Sequence, residues 1–108
     1  MLAKFNAQNF SDSNGNPSGG MAVSKGIMVE WQNGPLGRSE DGTRIEPNGA
    51  FVETVIAIAK QRIEYYNNTK FQCRENSMAI TKLDEALMWL NKRTADREAR
   101  QVEGTHKV

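Results

Sequence analysis

The sequence predicts an α+β fold, in which a small N-terminal antiparallel β-sheet is followed by a two-helix antiparallel hairpin, and an oligomeric assembly. Alternating apolar residues occur at Ile27, Val29 and Trp31, and two long stretches of helical periodicity follow after residue 48. The 108 residues include one cysteine and one histidine, so neither a disulfide nor a cysteine/histidine zinc cluster can form within one chain. Small domains without these supports are commonly stabilised by self-association, so we expect an oligomer.

Residues 1–20 are rich in Asn, Ser and Gly, lack sustained periodicity and end in Pro-Ser-Gly-Gly. We therefore predict that they form a flexible leader. The rest of the chain, residues 21–108, has the length of a single domain. Strands and loops are expected at residues 21–47, and the helical hairpin with its tail at residues 48–108.

The strand pattern begins close to a tight turn. Ile27–Gln32 alternates apolar and polar residues, and Lys25-Gly26 is suited to a hairpin turn, with Met21–Ser24 as the partner strand. A loop rich in Gly and Asn follows, in which Thr43–Ile45 is predicted to form a second short strand.

Two amphipathic helices account for the second half of the chain. The first is predicted from Gly49 to Tyr66, with Asn48 as its N-cap. Its apolar stripe contains Val52, Val55, Ile56, Ala59, Ile63 and Tyr66. The second is predicted from Arg74 to Arg100, and its stripe contains Ala79, Ile80, Leu83, Ala86, Leu87, Leu90 and Thr94. The short connection between the helices makes them antiparallel neighbours.

Charge and hydropathy exclude several classes of function. A net charge of +1 argues against binding to nucleic-acid polymers, which requires a broadly basic surface. There is no signal-peptide pattern at the N-terminus, and no apolar run has the length of a membrane span. We therefore expect a cytoplasmic protein without a membrane partner.

Three arginines near the C-terminus form a candidate phosphate clamp. Arg93, Arg97 and Arg100 are spaced at i, i+4 and i+7, so they project from one side of the second helix. Guanidinium groups bind phosphate oxygens in bidentate fashion. Alternatively, these arginines form a solvated face that matches the helix dipole. Gly104 and Thr105 follow in a tail that can approach the same anion or remain disordered.

Other residues suit a purine. Trp31, Gly34 and Pro35 combine an aromatic ring with a tight turn, and Tyr65 or Tyr66 can stack on a base. Asn76 can pair with a nucleobase edge. The alternatives are that Trp31 and the tyrosines only pack, that Gly34 only turns the chain and that Asn76 helps to cap its helix.

Catalysis is not expected. A nucleophile would have to pair Cys73 or a serine with the tail residue His106, and no glycine-framed nucleophile turn or paired-carboxylate motif accompanies them. The phosphate-loop and dinucleotide-binding glycine motifs are also absent from the sequence. We therefore predict a non-enzymatic protein without a cofactor or a metal.

Several motifs occur in an order that resembles one family. The second helix carries Arg74-Glu75-Asn76, Ala79-Ile80-Thr81-Lys82-Leu83, Ala86-Leu87-Met88-Trp89-Leu90 and Lys92-Arg93-Thr94, and is followed by Val102-Glu103-Gly104-Thr105-His106. Upstream are Trp31-Gln32-Asn33-Gly34-Pro35-Leu36 and Asn48-Gly49 with Glu53. From about residue 27 to residue 106, the chain resembles the type I Thoeris anti-defence proteins of phages, which share a helical-hairpin domain with anti-CBASS cyclic-nucleotide sponges.

The resemblance implies a function. Members of this family sequester cyclic ADP-ribose isomers made by bacterial TIR-domain proteins, and so block Thoeris signalling in the host cytoplasm without degrading the ligand. It also implies a homo-oligomer, either a dimer or a hexamer, with ligand pockets between subunits. Some members of the family bind cyclic di- or trinucleotides. Carried over to this chain, Tyr66 stacks on adenine, Asn76 bonds its edge, and Arg93 and Arg97 hold phosphates. Gly34-Pro35 and Gly104-Thr105 then lie near the ligand. The alternatives are a sponge for cyclic di- or trinucleotides of CBASS signalling, a phosphodiesterase that degrades the signal, and a protein-interaction module.

Overall fold

A computed structural model describes residues 1–37 and 40–99, apart from the side chain of residue 98. Its elements are β1 (Asn6–Ser11), β2 (Pro17–Ser24), β3 (Ile27–Trp31), α1 (Val52–Asn67) and α2 (Arg74–Ala99). A three-stranded antiparallel sheet in the order β1-β2-β3 is followed by two helices, which confirms the predicted α+β fold. The chain divides into two compact units, one built on the sheet and continuing to Phe51, and the other beginning at Val52. Whether residues 21–108 act as one signal-binding domain stays a prediction.

The predicted flexible leader is wrong from Asn6 onward, because β1, the turn that follows it and the first half of β2 lie within it. Asn6 pairs with Val23 and Gln8 with Met21, and the register shifts between Asn9 and Ser11. The turn that joins these strands is organised by Asp12, whose Oδ1 accepts the N–H groups of Asn14 and Asn16 at 2.8 and 3.0 Å. β1 is exposed throughout and mostly polar, so it lacks the sustained apolar alternation by which strands are recognised in a sequence.

The second hairpin is confirmed. β2 and β3 pair in antiparallel fashion up to Ser24 and Ile27, which leaves Lys25-Gly26 as the two-residue turn. Of the strand predicted at Thr43–Ile45, only an isolated β-bridge residue, Arg44, is present. Next to it, the Ile45 N–H donates a hydrogen bond to the Gly37 carbonyl at 3.0 Å.

The helices form the predicted antiparallel hairpin. Three contacts show the antiparallel order, because the residue number rises along α1 while that of its partner on α2 falls. These are Glu53 with Arg93 at 3.6 Å, Lys60 with Asp84 at 2.6 Å, and Asn67 with Ser77 at 3.1 Å. The hydrogen bond to Asp84 raises the pKa of Lys60 above its ordinary value. The Lys60–Asp84 pair therefore holds the middle of the hairpin, between contacts near its two ends.

The predicted start of α2 at Arg74 is confirmed, and α1 ends at Asn67, one residue after the predicted Tyr66. The start of α1 differs more. The helix α1 begins at Val52 rather than Gly49, so Asn48 is not its N-cap. The Asn48 side chain bonds the Asn33 backbone instead. All the residues of the apolar stripe predicted for α2 are half-buried. Only part of the α1 stripe is, since Val52, Ala59 and Tyr66 are exposed. The predicted end of α2 at Arg100 lies outside the described residues.

None of the described side chains is buried. Large apolar side chains on the helices are more than half exposed, including Ile58 at 65%, Met88 at 57% and Trp89 at 62%. Apolar surface on this scale is commonly a site of association. Over the part of the chain that the structure describes, no helix is long and apolar enough to cross a membrane.

Candidate functional site

The predicted site residues fall into two separate parts of the chain and a tail. Trp31, Gly34 and Pro35 belong to the unit built on the sheet. Tyr66, Asn76, Arg93 and Arg97 belong to the helical hairpin. The predicted contributions of Arg100, Gly104 and Thr105, and the possible partner His106, lie outside the described residues.

The segment after β3 is held by two side-chain amides. Gln32 Oε1 accepts the Asn48 N–H at 2.9 Å, while Gln32 Nε2 donates to the Gly34 carbonyl at 3.2 Å. Asn48 Oδ1 accepts the Asn33 N–H at 2.8 Å, and Asn48 Nδ2 donates to the Asn33 carbonyl at 3.0 Å. We call this pair of side chains the amide clasp. It determines the path of the backbone from Asn33 to Gly34, where φ is 82° and a side chain would be strained.

Trp31 lies at the base of the same segment. Its side chain is half-buried, opposite Gly20 of β2, and its backbone forms a parallel bridge with Ala50. Gly49 approaches so closely that a Cβ there would lie 2.6 Å from the Trp31 carbonyl carbon and oxygen. The position of Trp31 is therefore determined by backbone contacts on both sides of the strand.

Tyr66 is at the C-terminal end of α1 and is 41% exposed. Arg62, one turn earlier, lies 4.7 Å from the centre of the Tyr66 ring and 5.0 Å from that of Tyr65. The Arg62 Nε donates a hydrogen bond to the Tyr66 hydroxyl at 3.1 Å. The Tyr65 and Tyr66 ring centres are 5.8 Å apart with an interplanar angle of 54°. One cation thus contacts both rings, and Tyr66 is still open enough to receive a base.

Asn76 lies in the first turn of α2, at the same end of the hairpin as Tyr66. Its Nδ2 donates to the Phe71 carbonyl at 3.3 Å, and its backbone N–H donates to Cys73 Sγ at 3.4 Å. Cys73 is therefore the N-cap of α2, a position usually taken by Ser, Thr, Asp or Asn. Asn67 Oδ1 accepts the Cys73 N–H at 3.2 Å and so joins the end of α1 to this cap. Cys73 acts in this arrangement as a structural residue.

Arg93 and Arg97 lie near the other end of α2. Arg93 is 59% exposed and forms an ion pair with Glu53, in the first turn of α1, at 3.6 Å. Arg97 is half-buried in the last turn of α2, where the helix dipole favours a cation. Over residues 1–37 and 40–99, no group of three or more His, Cys, Asp or Glu side chains is placed to hold a metal ion.

The two groups of helical site residues are therefore at opposite ends of the hairpin. From Asn76 to Arg93 along α2, a rise of about 1.5 Å per residue gives a separation of about 25 Å. A single cyclic nucleotide is much shorter than this distance. One copy of the hairpin cannot bring Asn76 and Arg93 to the same ligand.

Three residues organise these positions in roles that were not predicted: Gln32, Asn48 and Arg62. A signal was present for Arg62, since a cation four residues before an aromatic on a helix places the two side chains together. The pairing of Gln32 with Asn48 had no local signal, because these residues are brought together by the fold of the loop between them.

Comparison with known proteins agrees with this architecture. The family model described as Acb2/Tad1, hairpin domain, matches residues 27–95, from β3 through most of α2. The chain is also 56% identical over 78 residues to "Thoeris anti-defense 1" of Bacillus phage SBSphiJ7, an alignment that covers 72% of this chain and 51% of the relative. The chain thus spans about half the length of that relative. The family match covers more than half of the chain and includes Trp31, Tyr66, Asn76 and Arg93, which confirms the predicted resemblance: this chain belongs to the Acb2/Tad1 hairpin-domain family.

Proposed function

We propose that this protein binds and sequesters a cyclic ADP-ribose isomer, such as glyco-cyclic ADP-ribose, in sites shared between copies of the chain. In this way it counters Thoeris signalling in the cytoplasm of an infected bacterium. The name of its phage relative, a Thoeris anti-defence protein, supports the biological role. The ligand and the assembly are supported by the geometry of the helical hairpin.

The observation that carries the proposal is the separation of the base-binding and phosphate-binding residues. Tyr66 and Asn76 are suited to a nucleobase, and Arg93 and Arg97 to phosphates, yet the two pairs lie at opposite ends of the hairpin. If two hairpins pack in antiparallel fashion, the aromatic end of one copy meets the arginine end of the other. A two-fold axis creates two equivalent sites in this way.

The exposed apolar surface supports such a pairing. Because no described side chain is buried in one copy, packing between copies provides a way to cover residues such as Trp89 and Met88. The same packing would desolvate the arginines and strengthen their interaction with phosphates. Dimer and hexamer both satisfy this requirement.

The chemistry proposed is binding without bond cleavage. Arginine side chains and an aromatic ring can hold a pyrophosphate and a purine, whereas Cys73 is occupied as a helix cap. The test is calorimetric titration with glyco-cyclic ADP-ribose, followed by heating the complex and chromatography of the released ligand. Tight binding with intact ligand is expected. A hydrolysed product would identify an enzyme instead.

Arg97 provides the matched variant for this titration. Arg97→Ala should weaken binding by about 1–3 kcal/mol, the scale of a lost charge-assisted hydrogen bond. Lys92→Ala is the control, because it also removes a cation near the end of α2, where Lys92 pairs with Asp96 at 3.3 Å. Equal losses in both variants would show that only the overall positive charge matters, and would remove Arg97 from the site.

Cyclic di- and trinucleotides are the second ligand class. The family description joins Acb2 with Tad1, and the resemblance implies cyclic-nucleotide binding among some relatives. The same titration with these ligands distinguishes the two classes. Absence of heat with either class would favour a protein-interaction module.

A further inference from the structure

We propose that Gln32 and Asn48, the amide clasp, are positioning residues that hold the Gly34–Pro35 turn in its ligand-binding shape. This inference rests on the proposed function, because the prediction that the turn lies near the ligand comes from the family resemblance. The hydrogen bonds of the clasp are observed in the structure and do not depend on the resemblance. They join residues 32–34 to residue 48, across the loop between them.

The clasp forms hydrogen bonds to backbone groups of the turn, and these bonds restrict its movement. The Asn48 side chain accepts a hydrogen bond from the Asn33 N–H at 2.8 Å and donates one to the Asn33 carbonyl at 3.0 Å. Gln32 Nε2 donates a hydrogen bond to the Gly34 carbonyl at 3.2 Å. The next residue, Pro35, has no N–H and a restricted φ. Among the described residues, the Gly34 N–H has no acceptor. The turn is thus left with one available donor in a defined place.

The base of the clasp is rigid for a separate reason. The Gln32 N–H donates to the Ala50 carbonyl at 2.9 Å, and the Ala50 N–H donates to the Glu30 carbonyl at 2.7 Å. Both bonds are made by Ala50, to the residues on either side of Trp31, and the preceding Gly49 packs directly on the Trp31 backbone. Asn48 is therefore held beside β3 by its neighbours, independently of its side chain. Because its backbone is fixed, the Asn48 side chain can determine the orientation of the turn and does not merely move with it.

Holding a binding turn in one shape before the ligand arrives reduces the conformational entropy lost on binding. Removing the clasp should leave the sheet folded, because the backbone bonds at Ala50 remain, but the turn should sample more shapes. Affinity should then fall by about 5- to 10-fold, the equivalent of one net hydrogen bond. Hydrogen exchange at the Asn33 amide should accelerate.

The experiment compares Gln32→Met and Asn48→Ala with two matched controls, Gln61→Met and Asn91→Ala, which make the same changes at exposed helical positions. Hydrogen exchange is followed by mass spectrometry of the peptide containing residues 32–36, with and without glyco-cyclic ADP-ribose, and affinity by calorimetry. We expect faster exchange and weaker binding in the clasp variants only. We also expect saturating ligand to restore protection of this peptide, which a purely structural clasp remote from the ligand would not show.

The possible failures can be distinguished. If exchange of the peptide is unchanged in both clasp variants, the clasp does not hold the turn, whatever the ligand does. If exchange accelerates while affinity matches that of the controls, the clasp is structural and the positioning role is rejected. If the wild-type protein does not bind the probe, the proposed function fails and the positioning role fails with it, while the exchange data still report on the clasp.

Discussion

Arg62 contacts Tyr66 twice, once through the face of the ring and once through its hydroxyl. The guanidinium carbon lies 4.7 Å from the ring centre, and Nε donates to the hydroxyl oxygen at 3.1 Å. These contacts are made across a single turn of α1, so they depend on the helix alone. They limit the rotation of a ring that is still 41% exposed. An exposed aromatic held in this way provides a stacking surface at low entropic cost.

Arg62→Met should therefore weaken binding of glyco-cyclic ADP-ribose by about 0.5–1 kcal/mol, or roughly two- to five-fold, because the cation–π contact that holds the Tyr66 ring is lost. Calorimetry measures the change. Lys82→Met is the control, since it removes an exposed cation that pairs with Glu85 at 3.7 Å on α2. An affinity equal to that of the control would show that Tyr66 needs no support from Arg62.

Gly49→Ala should destabilise the sheet unit. The added Cβ would lie 2.6 Å from the Trp31 carbonyl group and 2.7 Å from the Gln32 nitrogen, so the backbone on one side must move. Overpacking of this kind costs about 1–3 kcal/mol. Gly15→Ala is the comparison, because its Cβ meets nothing within 4 Å and the cost comes only from its φ of 79°. Urea denaturation of both variants should show the larger loss of stability at Gly49.

The Lys60–Asp84 pair should make hairpin stability sensitive to alkaline pH. The hydrogen bond to Asp84 raises the folded pKa of Lys60 above 10.5, its ordinary value and the one expected in the unfolded chain. The stabilisation is therefore fully present below the unfolded pKa, and is lost as pH rises through the folded pKa. Asp84→Asn should lower Tm at neutral pH, and this difference from the wild type should shrink above about pH 10.5.

Glu85→Gln is the control for that measurement. Glu85 pairs with Lys82 at 3.7 Å within one helix and does not join the two helices. Its effect on Tm should be smaller than that of Asp84→Asn at neutral pH. Equal effects of the two variants would mean that the cross-helix contact adds nothing to an ordinary surface pair.

The elements with a strong apolar period were predictable, and those built on polar residues were not. The stripe of α2, from Ala79 to Thr94, follows helical spacing and is half-buried throughout. β1 was missed because its six residues, Asn-Ala-Gln-Asn-Phe-Ser, carry almost no apolar alternation. Its strand conformation depends on pairing with β2 and on the turn at Asp12, which are contacts made by the fold.

Asn48 illustrates the same limit at the candidate site. Its residue type and its place before an apolar stripe are typical of an N-cap, which is the role that the sequence predicts for it. The structure uses its amide to hold Asn33 instead, and α1 begins later, at Val52. A local pattern shows which hydrogen bonds a residue can make, but the distant segment that completes them depends on the fold.

Trp89→Arg should disrupt the proposed oligomer. Trp89 is 62% exposed on α2, and large aromatic residues at the centre of an interface commonly contribute about 2 kcal/mol or more. The dissociation constant of the oligomer should therefore rise by about 30-fold or more. Light scattering coupled to size-exclusion chromatography measures the mass. Asn91→Arg, which adds the same charge at a nearby exposed position, should leave the mass unchanged.

A mixture of two inactive variants tests whether the ligand site is shared between chains. Tyr66→Ala removes the aromatic end of the hairpin and Arg93→Ala the cationic end, so each variant alone should bind glyco-cyclic ADP-ribose weakly. If each site takes Tyr66 from one copy and Arg93 from another, a mixed dimer contains one intact site and one site lacking both side chains. Random pairing should then restore about a quarter of the wild-type binding capacity, at wild-type affinity.

The two variants are best co-expressed with different affinity tags, so that mixed oligomers can be isolated and titrated. Isolated mixed dimers should bind at about half of the wild-type stoichiometry. The control is a mixed dimer of wild-type chain with the Tyr66→Ala/Arg93→Ala double variant, in which every shared site lacks one side chain and binding should be weak throughout. If each site were instead contained in one chain, the results would be reversed, because the control would keep half of its sites and the mixture of single variants would keep none. The comparison thus separates a site shared between two chains from a site contained in one.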